Sequence, residues 1–303
     1  MRVCSLLPSA TEIAFALGLG DEIAGVTHEC DYPPQARQKP VVVKSAIDPS
    51  GTSSRTIDYS VRDHLRSKTS LYTLDVPRLQ EAQPDFILTQ ALCEVCALDY
   101  NEVVAVSQSL VSKPRIIALN PHVLDDIFSD IRLVGSAMGK SVEADALVCR
   151  LKQRVTEIEA MAKCARRPRV ACIEWLDPIF SAGHWVPEMV ELAGGQNGLA
   201  ERGQPSQCLD WNAVAEFNPE VLVLMPCGFD VARTLSEASL LTQKRGWSEL
   251  PAVRDGRVFA VNGFAYFSRP GPRLIDGLEI LAGIIHPEIF SRKLGPEIAQ
   301  RFG

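Results

Sequence analysis

Between His122 and Lys163 the chain runs for more than forty residues without a proline and with only two glycines, Gly135 and Gly139. Apolar residues recur at helical spacing through its second half, at Ala146, Leu147, Leu151, Val155, Ile158 and Met161. A single helix over Ser141–Cys164 would be ~36 Å long at about 1.5 Å per residue, long enough to join two lobes. Any fold for this chain must accommodate that rod.

On both sides of it, short apolar runs alternate with helical patterns. Before it, strands are expected at Arg2–Leu7, Ile23–Thr27, Val41–Val43, Phe86–Thr89 and Arg115–Leu119. Helices are expected after Pro8 as far as Leu17, at Val76–Gln83 and at Glu102–Leu110. Ser9 reads as the N-cap of the first helix, with Glu12 at capping-box spacing. The polar stretch Lys44–Tyr72 reads as a long functional or mobile connection. After Arg166-Arg167-Pro168 the alternation restarts, with strands at Arg169–Ile173, Val221–Met225 and Arg257–Val261. The matching helices are Pro187–Ala193, Val231–Leu241 and Pro272–Ile285. The expected fold is therefore α/β, with two Rossmann-like lobes of mostly parallel sheet joined by a long backbone helix. The expected division is 1–121 for the first lobe, 122–167 for the connecting helices and 168–303 for the second lobe. The length of 303 residues and the 46% hydrophobic content suit two such cores.

Composition excludes several classes of function. The net charge is −6 with no basic run, so nucleic acid is not an expected partner. No apolar run approaches the ~20 residues that span a bilayer, so membrane insertion is not expected. The N-terminus Met-Arg-Val-Cys-Ser-Leu-Leu-Pro shows no secretory pattern, and the expected location is the cytoplasm. Nine scattered cysteines fit reduced thiols better than a disulfide framework, with Cys4 and Cys172 as small core hydrophobes.

The unusual residues cluster just after expected strands. In the first half these are Pro8-Ser9-Ala10-Thr11, His28-Glu29-Cys30-Asp31-Tyr32 and Gln90 to Cys96. In the second half they are Glu174-Trp175-Leu176-Asp177-Pro178, Pro226-Cys227-Gly228-Phe229 and Asn262 to Arg273. Open α/β sheets bind ligands at that edge, so both lobes are expected to turn these residues to one cleft. Trp175, Phe180, Trp185, Phe229, Phe264, Tyr266 and Phe267 supply rings for an apolar small-molecule wall. Some of these rings are ordinary core, but Trp175, Trp185 and Tyr266 are read as wall. Arg269 is placed to fork a carboxylate or phosphate, whereas Arg273 also fits a surface ion pair. The helix start at Ser9–Thr11 offers N–H groups to an anionic or carbonyl oxygen, though plain capping also explains Ser9. His28 and His184 are candidate ligand contacts. His64, His122 and His286 stand in ordinary contexts and are not read as site residues.

Cys93-Glu94-Val95-Cys96 has the spacing of half a zinc knuckle, without a second Cys-x-x-Cys to close it. His28, Cys30, Cys93 and Cys96 would complete a zinc or iron site if their loops converge; otherwise the thiols pack or line the cleft, or form a redox pair.

Several segments are similar to the cobalamin-binding periplasmic proteins of ABC importers. These are Ser5-Leu6-Leu7-Pro8-Ser9-Ala10-Thr11-Glu12-Ile13, Asp31-Tyr32-Pro33-Pro34, Gln83-Pro84-Asp85-Phe86-Ile87-Leu88, the Pro187–Gly195 helix and Asn218-Pro219-Glu220-Val221. Gln90–Ala97, Glu174–Pro178, Gly183–Glu188 and Tyr266–Arg273 resemble a leaderless bacterial subgroup labelled cobalamin-binding or substrate-binding protein. The resemblance covers nearly the whole chain and implies the helical-backbone metal receptor fold, whose members bind cobalamin, haem, ferric siderophores or metal ions. It implies a non-enzymatic binding protein for a cobalamin-type corrinoid or related chelate. Pro8, Ser9, Thr11, His28, Glu29, Tyr32, Glu94, Glu174, Trp175, His184, Trp185, Cys227, Phe229, Tyr266 and Arg269 are the expected contacts. Importer subunits of this kind carry a docking glutamate on each lobe. Pro77 and Ser268 stand at the aligned positions and cannot pair with permease arginines, so permease docking is doubtful and an intracellular carrier, sensor or scavenger is expected. The rivals are a Cys/His metal-dependent enzyme using Glu29, Glu94, Glu174 and Glu188, and an importer subunit.

Overall fold

The computed structural model describes residues 1–47, 51–67, 69–91, 98–291 and 293–303. In the first half the chain runs β1 (Val3–Ser5), α1 (Pro8–Ala16), β2 (Ile23–Thr27), β3 (Val41–Ser45), α2 (Ser54–Ser67), β4 (Tyr72–Leu74), α3 (Val76–Ala82), β5 (Phe86–Thr89), α4 (Tyr100–Ser109) and β6 (Arg115–Ala118). Two helices follow, α5 (Leu124–Ala137) and α6 (Ser141–Ala162). The second half runs β7 (Val170–Leu176), β8 (Ile179–Ser181), α7 (Val186–Leu192), α8 (Trp211–Phe217), β9 (Val221–Leu224), α9 (Val231–Thr242), α10 (Pro251–Arg254), β10 (Val258–Val261), α11 (Gly263–Tyr266), α12 (Leu274–Ile285) and β11 (Ala299–Arg301).

The chain divides into two compact units. Unit 1 comprises Met1–Thr52, Thr56–Pro121 and Asp125–Cys149, and unit 2 comprises Ser53–Arg55, His122–Leu124 and Arg150–Gly303. The division falls inside α6, so one uninterrupted helix of 22 residues supplies both. The breaker-poor stretch is two helices rather than one because Gly139 takes a left-handed φ of +70° after α5, a conformation that glycine enters without steric cost.

Unit 1 is built on a six-stranded sheet of order β4-β3-β2-β1-β5-β6, parallel except for β4. Its central strands β1, β2 and β5 are largely buried, as in a sheet covered by helices on both faces. Cys4, Val42 and Ile87 from the sheet pack with Leu79 and Ala82 of α3 and Val103 of α4. Unit 2 has the order β11-β10-β9-β7-β8, with β7, β9 and β10 parallel and the two edge strands antiparallel. Ala171, Ile173, Leu222, Leu224 and Val258 pack there with Trp211, Val214, Leu241 and Trp247.

The polar stretch Lys44–Tyr72, too long for a plain connection, contains α2 and leads into β4. Two expectations need correction. Glu174, Trp175 and Leu176 belong to β7 itself, which turns at Asp177-Pro178 into the unexpected strand β8. The cap of α1 is Leu7 in extended conformation with Pro8 in the first turn, so Ser9 lies within the helix and makes no capping bond. Cys4 and Cys172 are the buried core thiols expected, and burial pushes each thiol up to about 12. Among the described residues no helix is long and apolar enough to cross a membrane.

Candidate functional site

Parallel strands share one direction, so the loops that follow β1, β2 and β5 leave unit 1 at the same sheet edge. These three strands are also neighbours, and their end residues meet. The Thr11 hydroxyl donates to Ser5 Oγ at 2.8 Å. Cys30 Sγ sits 3.1 Å from Thr11 Oγ1 and 3.3 Å from Thr27 Oγ1. Ser9, Thr11 and Cys30 are all buried. Thr11 and Cys30 tie the first helix to the second loop, at the place where ligand and metal contacts are expected from the sequence. Pro8, half-buried at the helix start, removes one N–H from the donors expected there.

His28 and Tyr32 are exposed at this edge, with Glu29 half-buried between them. His28 Nδ1 lies 3.3 Å from the Val43 carbonyl, and its ring stands 6.3 Å from that of Tyr72. Cys93, Glu94 and Cys96 lie outside the described residues. Among the described residues no three His, Cys, Asp or Glu side chains come together as a metal site.

In unit 2 the ends of β7, β9 and β10 are likewise adjacent. The Cys227 N–H donates to the Glu174 carbonyl at 3.0 Å, and the Phe264 N–H donates to the Phe229 carbonyl at 3.0 Å. The three loops are thereby stitched together. The ring of Trp175 lies 5.3 Å from that of Phe229, and Arg233 covers Phe229 at 4.8 Å. Trp175, Phe264, Tyr266 and Glu174 are half-buried and Cys227 is exposed, so each presents surface to solvent. Trp175 Nε1 donates to the Ser54 carbonyl at 3.2 Å, which fixes the plane of its indole.

Gly263 permits the closeness of β9 and β10. A Cβ there would stand 2.5 Å from the Pro226 carbonyl oxygen and 2.7 Å from that of Met225, both backbone atoms. Gly263→Ala is expected to lower stability by ~1–3 kcal/mol through this overpacking. Thermal unfolding checks it, and an unchanged midpoint would show that the two loops have room to spare.

Three residues expected on the ligand wall are packed inside. Trp185 is buried, with its indole N–H donated to the Phe267 carbonyl at 2.9 Å. Phe229 is buried beneath Trp175 and Arg233. Arg269, expected to fork an anion, is buried with its guanidinium 3.7 Å from the ring centroid of Phe264. Arg273 lies over Tyr266 at 5.8 Å.

His184 is half-buried at the entry to α7, in a left-handed conformation with φ +52°. Paired backbone bonds hold it there: its N–H donates to Gln204 at 2.7 Å and its carbonyl accepts from Gly203 at 2.8 Å. Its ring lies 6.1 Å from that of His122, a residue 62 positions earlier that spacing could not connect to it. Burial first, and the neighbouring His122 second, pull the His184 pKa below its ordinary value and favour the neutral ring. Glu188 accepts from the Leu124 N–H at 3.0 Å and pairs with Arg202 at 2.6 Å. It anchors the His122 segment and is fully engaged, which argues against the catalytic use considered for it.

The description "Periplasmic binding protein" belongs to the family whose profile matches residues 3–263. An uncharacterized ABC transporter substrate-binding lipoprotein of Bacillus subtilis is 26% identical over 296 residues, covering 95% of this chain and 81% of that protein. A vitamin B12-binding protein of Vibrio cholerae is 24% identical over 288 residues, covering 92% of this chain and 86% of that one. The crystal structure of a periplasmic heme-binding protein from Pseudomonas aeruginosa superposes with a TM-score of 0.73 at 20% identity, covering 100% of this chain and 99% of that one. With two α/β units of the expected kind and a profile match over most of its length, the chain belongs to the periplasmic binding protein family.

Proposed function

We propose that this chain is a non-catalytic binding protein for a corrinoid or a related metal-chelate tetrapyrrole. The observation that carries this reading is the sheet edge of unit 2. There Trp175, Phe264 and Tyr266 keep part of their rings in solvent while hydrogen bonds and stacked guanidiniums hold them in place. Rigid aromatic faces suit a large flat ligand, because little side-chain freedom is lost on contact. Relatives named for vitamin B12 and for heme support the same ligand class. His28, Glu29 and Tyr32 of unit 1 supply the polar contacts in this reading.

Titration of purified protein with cobalamin, cobinamide and haem, followed in the visible spectrum, tests the proposal. One of the three is expected to give a saturable shift, and Trp175→Ala is expected to weaken it at least tenfold, about 1.4 kcal/mol. Absence of any shift and of any calorimetric heat with all three would reject it.

The cellular role proposed with it is that of an intracellular carrier, sensor or scavenger. Pro77, in the first turn of α3, and Ser268, whose hydroxyl donates to the Gly263 carbonyl at 3.0 Å, support that role, since neither offers a carboxylate to a permease arginine. Fractionation of cells expressing the gene from its own locus decides it; recovery in the periplasm or bound to the membrane would favour the importer subunit instead.

A further inference from the structure

Unit 2 holds a second concavity, at the sheet edge opposite the loops described above. Arg257 stands just before β10, whose far end leads into Asn262 and Phe264. Side chains alternate along a strand, so Arg257 shares a face of β10 with Phe259, two residues on. Antiparallel β11 sets Arg301 directly opposite Phe259, and the Arg301 guanidinium lies 5.6 Å from the centroid of that ring. Ala299, two residues before Arg301, falls on the same face. Two arginines and one ring therefore share one patch of sheet.

The end of α12 supplies the facing wall. The cavity has a volume of about 220 Å³ and is lined by Arg257, Phe259, Ile284, Pro287, Leu294 and Arg301. Gly283 and Ala299 also border it and keep it open by their small size. A Cβ at Gly283 would stand 3.7 Å from the Phe290 carbonyl oxygen, an ordinary contact, so the backbone there does not demand glycine.

The charges in this space are unbalanced. Arg257 Nη2 donates to the carbonyls of Ile284 at 3.1 Å and Ile285 at 2.8 Å. Closing the last turn of α12 accounts for that nitrogen. It does not account for the rest of the guanidinium or for Arg301. Among the described residues no carboxylate stands within ion-pair distance of either arginine. Glu220 is paired with Arg166 and Arg169, and Glu288 lies 3.2 Å from His286 Nδ1. Burial, the largest influence, pulls the Arg257 pKa below its ordinary value; the charges of Glu288 and Glu220 oppose it, and those of Arg166 and Arg301 add to it.

We infer that this cavity is a second binding site of unit 2, for a small carboxylate with a short apolar body. Arg257 and Arg301 take the carboxylate, since a guanidinium matches its two oxygens. Phe259, Ile284 and Leu294 take the body. The space is smaller than the ~300–1,000 Å³ of a drug-sized pocket, so the body is a single ring or a short chain. The site uses none of the residues of the tetrapyrrole reading and stands or falls separately from it.

Benzoate is the probe. Titration of the full chain, followed in ¹H–¹⁵N correlation spectra, is expected to shift the amides of Phe259, Gly283 and Ala299 with one shared midpoint and to leave the Trp175 indole signal in place. Benzamide has the same body without the charge, and inorganic phosphate has the charge without the body. Each is expected to bind at least tenfold more weakly. Arg301→Gln, at an exposed position where folding is not at stake, is expected to weaken benzoate at least tenfold. Gly283→Leu, which fills the space, is expected to abolish the saturable shifts while near-ultraviolet circular dichroism stays parental. Absence of saturable shifts with benzoate, equal affinity for benzamide or phosphate, or parental affinity in Arg301→Gln would overturn the assignment.

Discussion

Trp185→Ala is expected to destabilise unit 2 by about 3–5 kcal/mol, the range for deleting a large buried aromatic. The indole is 7% exposed and precedes α7, whose Val186, Met189 and Val190 are themselves buried. Truncation opens a cavity under that helix and also strands the Phe267 carbonyl, which now accepts the indole N–H. Trp185→Phe keeps most of the volume and loses only the hydrogen bond, so its expected cost is smaller, roughly 1–3 kcal/mol. Urea unfolding of both variants checks the order. A pocket-wall tryptophan would behave in the opposite way: Trp185→Ala would keep its stability within about 1 kcal/mol, as for an ordinary surface change, and lose ligand affinity instead.

The contrast between Trp185 and Trp175 shows what the sequence can and cannot say here. Both stand beside glycine or proline, outside any amphipathic stripe, and both read as wall. Trp175 keeps part of its ring in solvent at the end of β7. Trp185 folds inward at a helix entry, because the left-handed turn at His184 redirects the chain. That turn leaves no mark in residue spacing. The same limit hid the pairing of His122 with His184, which depends on a hydrogen bond between Leu124 and Glu188. Arg269 misled in another way: a guanidinium reads as a solvent or anion contact unless a ring such as Phe264 lies beneath it.

Long, strongly patterned elements were legible. The parallel strands β5, β9 and β10 and the long helix α6 stand within a few residues of where alternation and helical spacing put them. The grouping of the loops was legible too, since the parallel order of β2-β1-β5 and of β10-β9-β7 gathers each group of three loops on one edge. Short pieces and one helix of polar composition were missed. β8 and β11 have three residues each, too few for a period to register. α2 offers Ile57, Val61 and Leu65 as its narrow apolar stripe in an otherwise polar segment, and Leu65 is exposed even so. The i, i+4, i+8 spacing of those three residues is the signal that marks it as a helix.

Stability should also depend on pH through one carboxyl group that the candidate site does not use. Asp130, on α5, is 9% exposed, and its Oδ2 is buried without a hydrogen-bond partner. Desolvation first, and the charge of Asp126 one turn earlier second, raise its pKa from the ordinary 3.8 to about 7. In the unfolded chain the carboxyl ionises near its ordinary value, so between pH 4 and 7 the folded state holds a proton that the unfolded state has lost. Stability therefore falls as pH rises across that window, and above pH 7 the folded chain bears the full cost of a buried carboxylate. The displacement corresponds to about 4 kcal/mol at most, and partial relaxation around the group brings the expected penalty to roughly 2–4 kcal/mol. Asp130→Asn removes the charge and keeps the shape. It is expected to exceed the parent by that amount at pH 8 and by only about a third of it at pH 5, measured by urea unfolding at the two pH values. A difference between variant and parent that is the same at both would show that Asp130 is already charged throughout, with a partner that forms in solution.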